Sequence, residues 1–489
     1  MEPLTWTGAL SGLNIVFYTV VGLLALAIVL QILAALLPST GGTASVNPDG
    51  TMTASPGFSG LIGSAVAWLF YATLALILVY LVGGIFLGPE AGIFGGMAQQ
   101  FLPVWIALIV TFALSITYKR RLGLYGKLFD STVGMIGFAI VMFWVFTGVF
   151  GGVFDLLVTH DSLSQVSGMK NKLPGTPLRG AEEGDYPWFL LGGDNLARDV
   201  FSRLIKGSWV VVKIAPFATL FAFMVGITLG LPAGYYGGKL DTLLSFLANL
   251  ILAFPVILLF YLLVTPEIVL TGIPNYMALF LFSFPLIFAA ILLNSRYYTQ
   301  PSFRTPLLVV VLGVGLWLYL SMVTTDGAIV ATNTYVIPGI PPFLDLFDID
   351  PGILVVFVSV VFVNSPTVFR IVRGLAMDIK TRDYVAAAQT RGEGPWYIML
   401  WEILPNARGP LIVDFCLRIG YTTILLGTLG FFGLGLESES PDWGSTINAG
   451  RRLLSLYPHA AIAPALALLS LVLGLNLLAD GLREESLRD

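Results

Sequence analysis

The sequence predicts an all-α integral membrane protein, and three observations support this prediction. Of its 489 residues, 56% are hydrophobic and only 11% are charged, whereas soluble domains carry about 25% charged residues. Several apolar runs reach the roughly 20 residues that a membrane-spanning helix needs. The runs contain few charged residues, and those they contain, such as Lys213, Asp414 and Arg418, lie near the ends of the runs.

Eleven apolar runs are candidate membrane spans. The first run is too long for a cleaved signal peptide and no Lys or Arg precedes it, so we expect it to stay in the chain. The predicted spans lie at about 13–37, 60–87, 101–118, 132–153, 208–231, 243–264, 276–294, 305–323, 352–369, 411–434 and 459–480.

The basic residues predict the orientation of these spans, because short cytoplasmic loops collect Lys and Arg. On an alternating path, the basic clusters at 119–127, 296–304, 370–408 and 483–488 share one side, which we assign to the inside. The loops expected outside are 154–207, 324–351 and 436–458. The second of these has no Lys or Arg and contains Asp326, Asp345, Asp348 and Asp350. The first contains six basic residues, but charge governs long loops only weakly.

Residues 381–410 are predicted to form a helix, a glycine break and a second helix. Thr381 can cap the first helix, and Asp383 lies in its first turn, where a carboxylate complements the helix dipole. The run Ala386–Ala388 favours a helix and has almost no side chain, so another surface can approach closely. Gly392 is expected to end this helix.

The second helix of this region is predicted at Pro395–Leu404. Proline is tolerated at the first helical position, so Pro395 can open the helix. Trp396 and Trp401 suit a membrane interface. Pro405 is expected to stop the helix, because proline has no N–H to donate.

This region resembles the "EAA" signature of ABC importer permeases, a Glu-Ala-Ala followed by a glycine and then Leu-Pro. The pairs Ala387–Ala388 and Leu404–Pro405, with Gly392 between them, match in type and spacing. Ala386 replaces the signature glutamate, while Asp383 keeps an acid one turn earlier. The resemblance implies a cytoplasmic coupling helix that docks on a separate ATPase subunit. A plain cytoplasmic connector between two spans is the alternative.

We define residues 377–410 as the coupling stretch. The resemblance implies that its contacts with an ATPase come from nine residues, namely Asp383, Ala386, Ala387, Ala388, Arg391, Gly392, Glu393, Leu404 and Pro405.

A second motif precedes the fifth span, at 191–206. It resembles the signature Leu-Gly-Thr-Asp-x-x-Gly-Arg-Asp-Val-x-Ser-Arg-Leu-Ile of dipeptide and oligopeptide permeases, specifically the second permease of the pair. Gly193 and Ala197 replace the usual threonine and glycine. The retained residues, expected in an extracytoplasmic loop, are Asp194, Arg198, Asp199, Ser202 and Arg203. The alternative is an amphipathic interfacial helix over 198–206, whose charges are merely solvated.

Weaker motifs follow in the order found in the same permease subfamily. They are a glycine-rich turn starting at Gly234, Ala253-Phe-Pro255, Gly433-Leu-Gly435, Pro441-Asp-Trp-Gly444 and Asn476–Arg483. Taken singly, the glycines are also explained by close helix packing, and Trp443 by an interfacial anchor. Together, the motifs extend the resemblance over about 132–264 and 352–489.

The resemblance implies a type I ABC importer transmembrane domain, with a six-helix core and extra helices. Four segments follow from it. They are extra membrane helices at 1–131, the first part of the core at 132–264, an inserted helix pair with an acidic outer loop at 265–351, and the second part of the core at 352–489. We expect the added helices to lie at the periphery.

The implied function is that of a permease subunit in the cell membrane. Its partners would be a second permease in a heterodimer, two ATP-binding subunits, an extracytoplasmic solute-binding protein and membrane lipid. The implied cargo is peptides, with oligosaccharides or nickel complexes as the alternative within the family. The chain has no Gly-x-x-x-x-Gly-Lys-[Ser/Thr] phosphate loop, so we expect ATP and Mg²⁺ on partner subunits and no cofactor here.

Other function classes find less support in the residues. A membrane-embedded enzyme or an ATP-independent channel or carrier needs ionisable groups at membrane depth, and the spans have few. One cysteine and two histidines exclude an intrachain disulfide and are too few for a zinc site built from those ligands. The small net charge of −4 gives no indication of nucleic-acid binding.

Overall fold

The computed structural model describes residues 2–36, 44–46, 52–54, 58–178, 185–324, 351–434 and 440–486. The predicted acidic loop with Asp326, Asp345, Asp348 and Asp350 lies outside these residues, as does Gly435. Contacts within the chain group it into two compact units, Met1–Pro103 with Val166–Phe201 and Val104–Gln165 with Ser202–Asp489.

The described residues of the first unit form three α-helices and four short strands, beside short 3-10 turns. The helices are α1 (Asn14–Leu36), α2 (Phe58–Leu87) and α3 (Gly92–Gln100), and the strands are β1 (Ala44–Val46), β2 (Met52–Ala54), β3 (Thr176–Pro177) and β4 (Trp188–Phe189). The strands form two antiparallel pairs, β1 with β2 and β3 with β4. Large apolar side chains of α1 and α2, such as Ile15, Trp68 and Phe86, are exposed, as expected for helices whose solvent is lipid.

The second unit is a helical bundle. Its helices are α4 (Leu102–Tyr118), α5 (Gly123–Lys127), α6 (Thr132–Gly152), α7 (Val200–Tyr236), α8 (Gly238–Leu252), α9 (Val256–Val264), α10 (Pro266–Leu270), α11 (Ile273–Leu281), α12 (Ser283–Arg296), α13 (Pro301–Thr324), α14 (Pro351–Ile379), α15 (Asp383–Thr390), α16 (Pro395–Tyr397), α17 (Leu404–Asn406), α18 (Arg408–Phe432), α19 (Trp443–Arg451) and α20 (His459–Ser486). The first two residues of α4 and of α7 belong to the first unit.

The predicted spans coincide with helices of the structure. Within the described residues, ten helices are long and apolar enough to cross a membrane, and α8 with α9 makes eleven if this bent pair is one span. The predicted span at 243–264 falls on α8 and α9, which meet at an angle of 80°. Pro255 lies at the break, where it lacks an N–H and disfavours helical geometry at the preceding residue.

Three glycines spaced four residues apart hold α7 directly against α14. A Cβ atom at Gly226 would lie 2.5 Å from Val368 Cγ1, and one at Gly230 would lie 2.9 Å from the Phe369 carbonyl oxygen. Gly234 continues the row, since its Cβ would lie 2.6 Å from the Arg373 carbonyl oxygen. Small residues at this spacing let membrane helices approach backbone to backbone.

This packing corrects the prediction of a glycine-rich turn that starts at Gly234. Helix α7 continues to Tyr236, so Gly234 is a helix-packing residue. The turn is made by Gly237 and Gly238, whose φ angles are +67° and +62°, a backbone region that glycine enters without steric cost.

Candidate functional site

The coupling stretch begins with α15, whose start differs from the prediction. The N-cap of α15 is Arg382, and its side chain makes no capping hydrogen bond. Thr381 is not the cap, because its hydroxyl donates to the Asp378 carbonyl at 2.8 Å and so faces back to α14. Asp383 lies in the first turn as predicted, where its charge favours the helix.

The end of α15 is a glycine-capped turn, as predicted. Gly392 has φ +78° and donates its N–H to the Gln389 carbonyl at 2.9 Å. The next N–H, of Glu393, reaches back to the Ala388 carbonyl at 3.2 Å. These two bonds satisfy carbonyls that a helix end otherwise leaves unpaired. A Cβ atom at Gly392 would meet nothing within 4 Å, so the requirement for glycine here comes from the backbone alone.

The second arm of the coupling stretch runs through Pro405 and does not stop there. Pro395 opens α16 as predicted, and a π-helical turn at Ile398–Ile403 connects α16 to α17. Pro405 lies in the first turn of α17. The hydrogen-bond register changes where a π turn ends, so a residue without an N–H is accommodated at this junction.

The two arms pack against each other through apolar side chains. Val385 and Ala388 of α15 are buried in one cluster with Ile398, Met399 and Ile403. Ala388 therefore faces this chain's own core, while Ala386 and Ala387 are exposed beside it. Of the other predicted coupling residues, Asp383, Arg391, Gly392 and Pro405 are exposed, and Glu393 and Leu404 are half-buried.

An ion pair connects the end of α15 to the second arm. Arg391 Nη2 lies 2.9 Å from Glu402 Oε1, and Arg391 Nε lies 3.8 Å from Glu393 Oε1. The Arg391 side chain is 55% exposed, so the pair is worth at most about 1 kcal/mol. Glu402 was not among the predicted site residues, because nothing in the sequence pairs it with Arg391 eleven residues earlier.

Helix α7 ends against the coupling stretch. Lys380 Nζ donates to the carbonyl oxygens of Gly234 (2.8 Å) and Tyr235 (3.3 Å), which lie in the last turn of α7, where carbonyls lack helical partners. A positive charge is also favoured by the helix dipole at this end. Gln389 Nε2 donates to the Tyr235 hydroxyl at 3.2 Å. The segment between α14 and α15, and the final turn of α15, are therefore both bonded to the same end of α7.

The second motif is built around a tight, buried turn in the first unit. Asp194 Oδ1 accepts the N–H groups of Leu196 (2.8 Å) and Arg198 (2.9 Å), and Asp194 Oδ2 lies 2.7 Å from Arg198 Nε. Ala197 sits at φ +65° between them. Asp199 Oδ1 accepts the Phe201 N–H at 3.2 Å in the first turn of α7.

The remaining residues of this motif, Ser202 and Arg203, lie in the second unit. Ser202 Oγ accepts the backbone N–H of His160 at 3.0 Å. The Arg203 guanidinium donates to the Ser162 carbonyl (3.3 Å), the Ser440 carbonyl (2.9 Å) and the Thr446 hydroxyl (3.3 Å). Arg203 thus connects the segment at 160–162 with residues 440–446, the first of which lies 237 positions after Arg203.

Trp443 and Asp442 complete this cluster. Trp443 is fully buried, donates its indole N–H to the Leu204 carbonyl at 2.8 Å, and packs edge-on against Trp144 with ring centroids 5.0 Å apart. Asp442 caps α19 by accepting the Ser445 N–H at 2.9 Å. Burial raises the pKa of the Asp442 carboxyl, although its hydrogen bonds with Ser445 and the nearby Arg203 lower it. We call Arg203, Ser440, Asp442, Trp443 and Thr446 the Arg203 cluster.

These positions overturn two of the alternatives considered for the sequence. The charges of the second motif are buried, with Asp194, Arg198, Asp199 and Arg203 at most 4% exposed, so 198–206 is not an interfacial helix with solvated charges. Trp443 packs inside the protein and is not an interfacial anchor. Asp414 Oδ2 lies 2.6 Å from Arg418 Nε, one turn later on the same helix, and the single cysteine, Cys416, is buried.

The two candidate sites lie at opposite ends of α7. Arg203 is in its first turn, and Tyr235 is in its last. A helix of 37 residues is about 55 Å long at 1.5 Å per residue, which exceeds the roughly 30 Å of a bilayer's hydrocarbon core. Both sites can therefore lie outside the hydrocarbon region, on opposite faces of the membrane.

The fold and these sites define a class of protein. In the part of the chain that the structure describes, no three His, Cys, Asp or Glu residues are placed to hold a metal ion, and the polar clusters lie at helix ends. Long apolar helices with polar contacts at their ends define a polytopic membrane protein. Residues 226–484 match the family of binding-protein-dependent transport system inner membrane components, and the chain belongs to this family.

Curated relatives show the same similarity. The chain is 28% identical over 302 residues, 62% of its length and 73% of the relative's, to the glutathione transport system permease protein GsiD of Pectobacterium atrosepticum. It is 27% identical over 302 residues, 62% of its length and 75% of the relative's, to the dipeptide transport system permease protein DppC of Haemophilus influenzae. A DppC from Alkalihalophilus pseudofirmus is 24% identical over 360 residues, 74% of this chain and 87% of that one.

Family membership confirms several of the predictions made from the sequence. The chain is a multi-pass protein of the cell membrane with the type I ABC importer transmembrane fold. It is a permease, and permeases of this family are transport subunits. Neither the segment boundaries predicted from the resemblance nor the contacts of the predicted coupling residues follow from membership, and both stay predictions.

Proposed function

We propose that this chain is the permease subunit of a peptide importer. Its relatives are named for the transport of dipeptides and of glutathione, a tripeptide, and residues 226–484 match the family. In this proposal a second permease completes a heterodimer, and two ATP-binding subunits carry ATP and Mg²⁺. An extracytoplasmic binding protein delivers the peptide.

The observation that carries the coupling part of this proposal is the exposed face of α15. Asp383, Ala386 and Ala387 are exposed together with Arg391 and Gly392 at the helix end. The two alanines present a surface with little side-chain bulk, onto which a groove of another protein can close. Charges at both ends of this face can fix the register of docking, which is the usual role of rim charges.

Ala388, Glu393 and Leu404 are less accessible than the exposed face of α15, because Ala388 is buried and the other two are half-buried. Ala388 is buried in the chain's own core, so it shapes the coupling stretch and does not touch the ATPase. Its carbonyl accepts the hydrogen bond from the Glu393 N–H that closes the end of α15. The second arm continues through Leu404 and Pro405, of which Pro405 is exposed.

Movement of the coupling stretch would reach the opposite membrane face through α7. Lys380 and Gln389 bind its last turn, and Arg203 holds its first turn to the loops at 162 and 440–446. We propose that ATP binding shifts α15, that α7 moves with it, and that the Arg203 cluster changes its arrangement on the side where the binding protein docks.

The test is uptake by a reconstituted complex. The chain is co-expressed with the second permease and the two ATP-binding subunits. The purified complexes are then placed in proteoliposomes, and the binding protein is added outside. Labelled dipeptides, tripeptides and glutathione are compared with an oligosaccharide and a nickel complex. ATP-dependent uptake of the peptides alone supports the proposal. Uptake of the oligosaccharide or the nickel complex alone assigns another cargo, and uptake without ATP or without the ATP-binding subunits overturns the proposal.

A further inference from the structure

Helix α12 makes a specific polar contact with the coupling stretch. Trp401 donates its indole N–H to Ser295 Oγ at 3.1 Å. Ser295 is buried, and its hydroxyl donates to the Leu292 carbonyl at 3.0 Å, which leaves an acceptor lone pair for the indole. The neighbouring Arg296 places its guanidinium carbon 4.8 Å from the centre of a Trp401 ring.

Apolar packing surrounds this contact. Phe288, Ile291 and Leu292 of α12 pack against the buried cluster that contains Ile398 and Met399. The same cluster includes Val385 and Ala388 of α15. The end of α12 is therefore joined to both arms of the coupling stretch through one continuous core.

The π turn connects these contacts to the end of α15. Trp401 and Glu402 are consecutive residues in the turn Ile398–Ile403. Trp401 bonds to α12, while Glu402 pairs with Arg391 at the C-cap of α15. A π-helical turn is a frequent feature of functional sites. Here the adjacent side chains of Trp401 and Glu402 bind two different elements, α12 and the end of α15.

We propose that α12 is a brace that positions the coupling stretch, through Ser295 and Arg296 on Trp401. The inference rests on the proposed function and adds to it a role for the segment 265–351, which the sequence predicts to be an insertion. With the brace in place, α15 moves together with the membrane helices. Without it, α15 keeps its fold but its position relative to α12 loosens, so ATP hydrolysis no longer drives transport efficiently.

The first readout is backbone hydrogen exchange in the purified complex. Trp401→Phe removes the indole donor and keeps an aromatic ring, and Ser295→Ala removes the acceptor. Loss of one hydrogen bond shifts a local opening equilibrium by about fivefold. We expect about fivefold faster exchange in the segment 383–403 for each variant. The double variant should match the singles, because both lose the same bond.

The second readout is the number of peptides transported per ATP hydrolysed. We expect this ratio to fall severalfold in Trp401→Phe and Ser295→Ala, with unchanged recovery of the ATP-binding subunits. The matched controls are Trp68→Phe and Ser302→Ala, the same substitutions at exposed positions, and both should keep the wild-type ratio and exchange.

Three results would overturn the brace. They are wild-type exchange and coupling in both variants, independent and additive effects of the two substitutions, or equal effects of the controls. These outcomes are distinct from failure of the proposed function, in which the wild-type complex itself transports no peptide. An Arg296→Gln variant provides a further check, because it removes the cation above the ring and leaves the indole hydrogen bond in place.

Discussion

Replacement of Gly392 by alanine tests the geometry of the coupling stretch most directly. An alanine at φ +78° costs roughly 1–2 kcal/mol, because its Cβ approaches the following carbonyl oxygen. Alanine also restricts the unfolded chain, which returns roughly 0.5–1 kcal/mol. No other atom lies within 4 Å of the new Cβ, so packing adds nothing. We expect a net loss of about 1 kcal/mol in the stability of the end of α15.

Gly374→Ala is the matched control for this substitution. Gly374 lies within α14, and a Cβ there would also meet nothing within 4 Å. Its backbone is not in the left-handed region, so alanine should stabilise the local helix by roughly 0.5–1 kcal/mol. The same chemical change is therefore expected to have opposite signs at two positions of one chain.

Hydrogen exchange of the amides at 392 and 393 measures this difference, because both donate the reverse bonds that close α15. Gly392→Ala should accelerate their exchange about fivefold. Gly374→Ala should not. Equal exchange in the two variants would show that the left-handed turn at Gly392 is not what holds this end of α15.

Four further predictions follow from other contacts. Gly230→Val should lower thermal stability in detergent by about 1–3 kcal/mol through overpacking against α14, whereas Gly313→Val, where a Cβ meets nothing within 4 Å, should change it little; equal losses would contradict the packing argument. Asp442→Asn should gain stability relative to wild type as pH rises from about 4, because a buried carboxyl with a raised pKa favours folding only while protonated; a pH-independent difference in melting temperature argues against this. Ala387→Trp should abolish recovery of the ATP-binding subunits by its bulk while leaving the helices folded, and retention of full transport would make 381–410 a plain connector. Thr390→Cys, in a chain stripped of its native cysteine, should resist an impermeant maleimide in intact cells; rapid labelling would invert the topology.

The sequence was sufficient for features that depend on neighbouring residues. Apolar length alone located the spans, because a membrane helix must satisfy its own backbone within about 20 residues. The end of α15 at Gly392 was predictable, since the residue after a helix end usually has a positive φ, which glycine adopts readily. The start at Thr381 was not, because the hydroxyl had a second acceptor available in the preceding turn, the Asp378 carbonyl.

The sequence was insufficient where distant segments meet. From the sequence alone Arg203 resembles a surface cation, because its partners Ser440 and Thr446 are known only from the fold. The sequence predicts that Trp401 lies at the membrane interface. In the structure its indole N–H donates to Ser295, 106 positions earlier in the chain. The spacing of Gly226, Gly230 and Gly234 did contain a readable signal, a row of small residues every four positions. Its partner helix, however, follows only from the fold.

The Arg203 cluster also sets an order of events during synthesis. Two partners of the Arg203 guanidinium lie 237 and 243 residues further along the chain, which corresponds to roughly 10–50 s of translation at 5–20 residues per second. In that interval the first turn of α7 is already synthesised, and the Arg203 guanidinium lacks its bonds to Ser440 and Thr446. Closure of the cluster is therefore a late step of folding that must wait until residues 440–446 have been made.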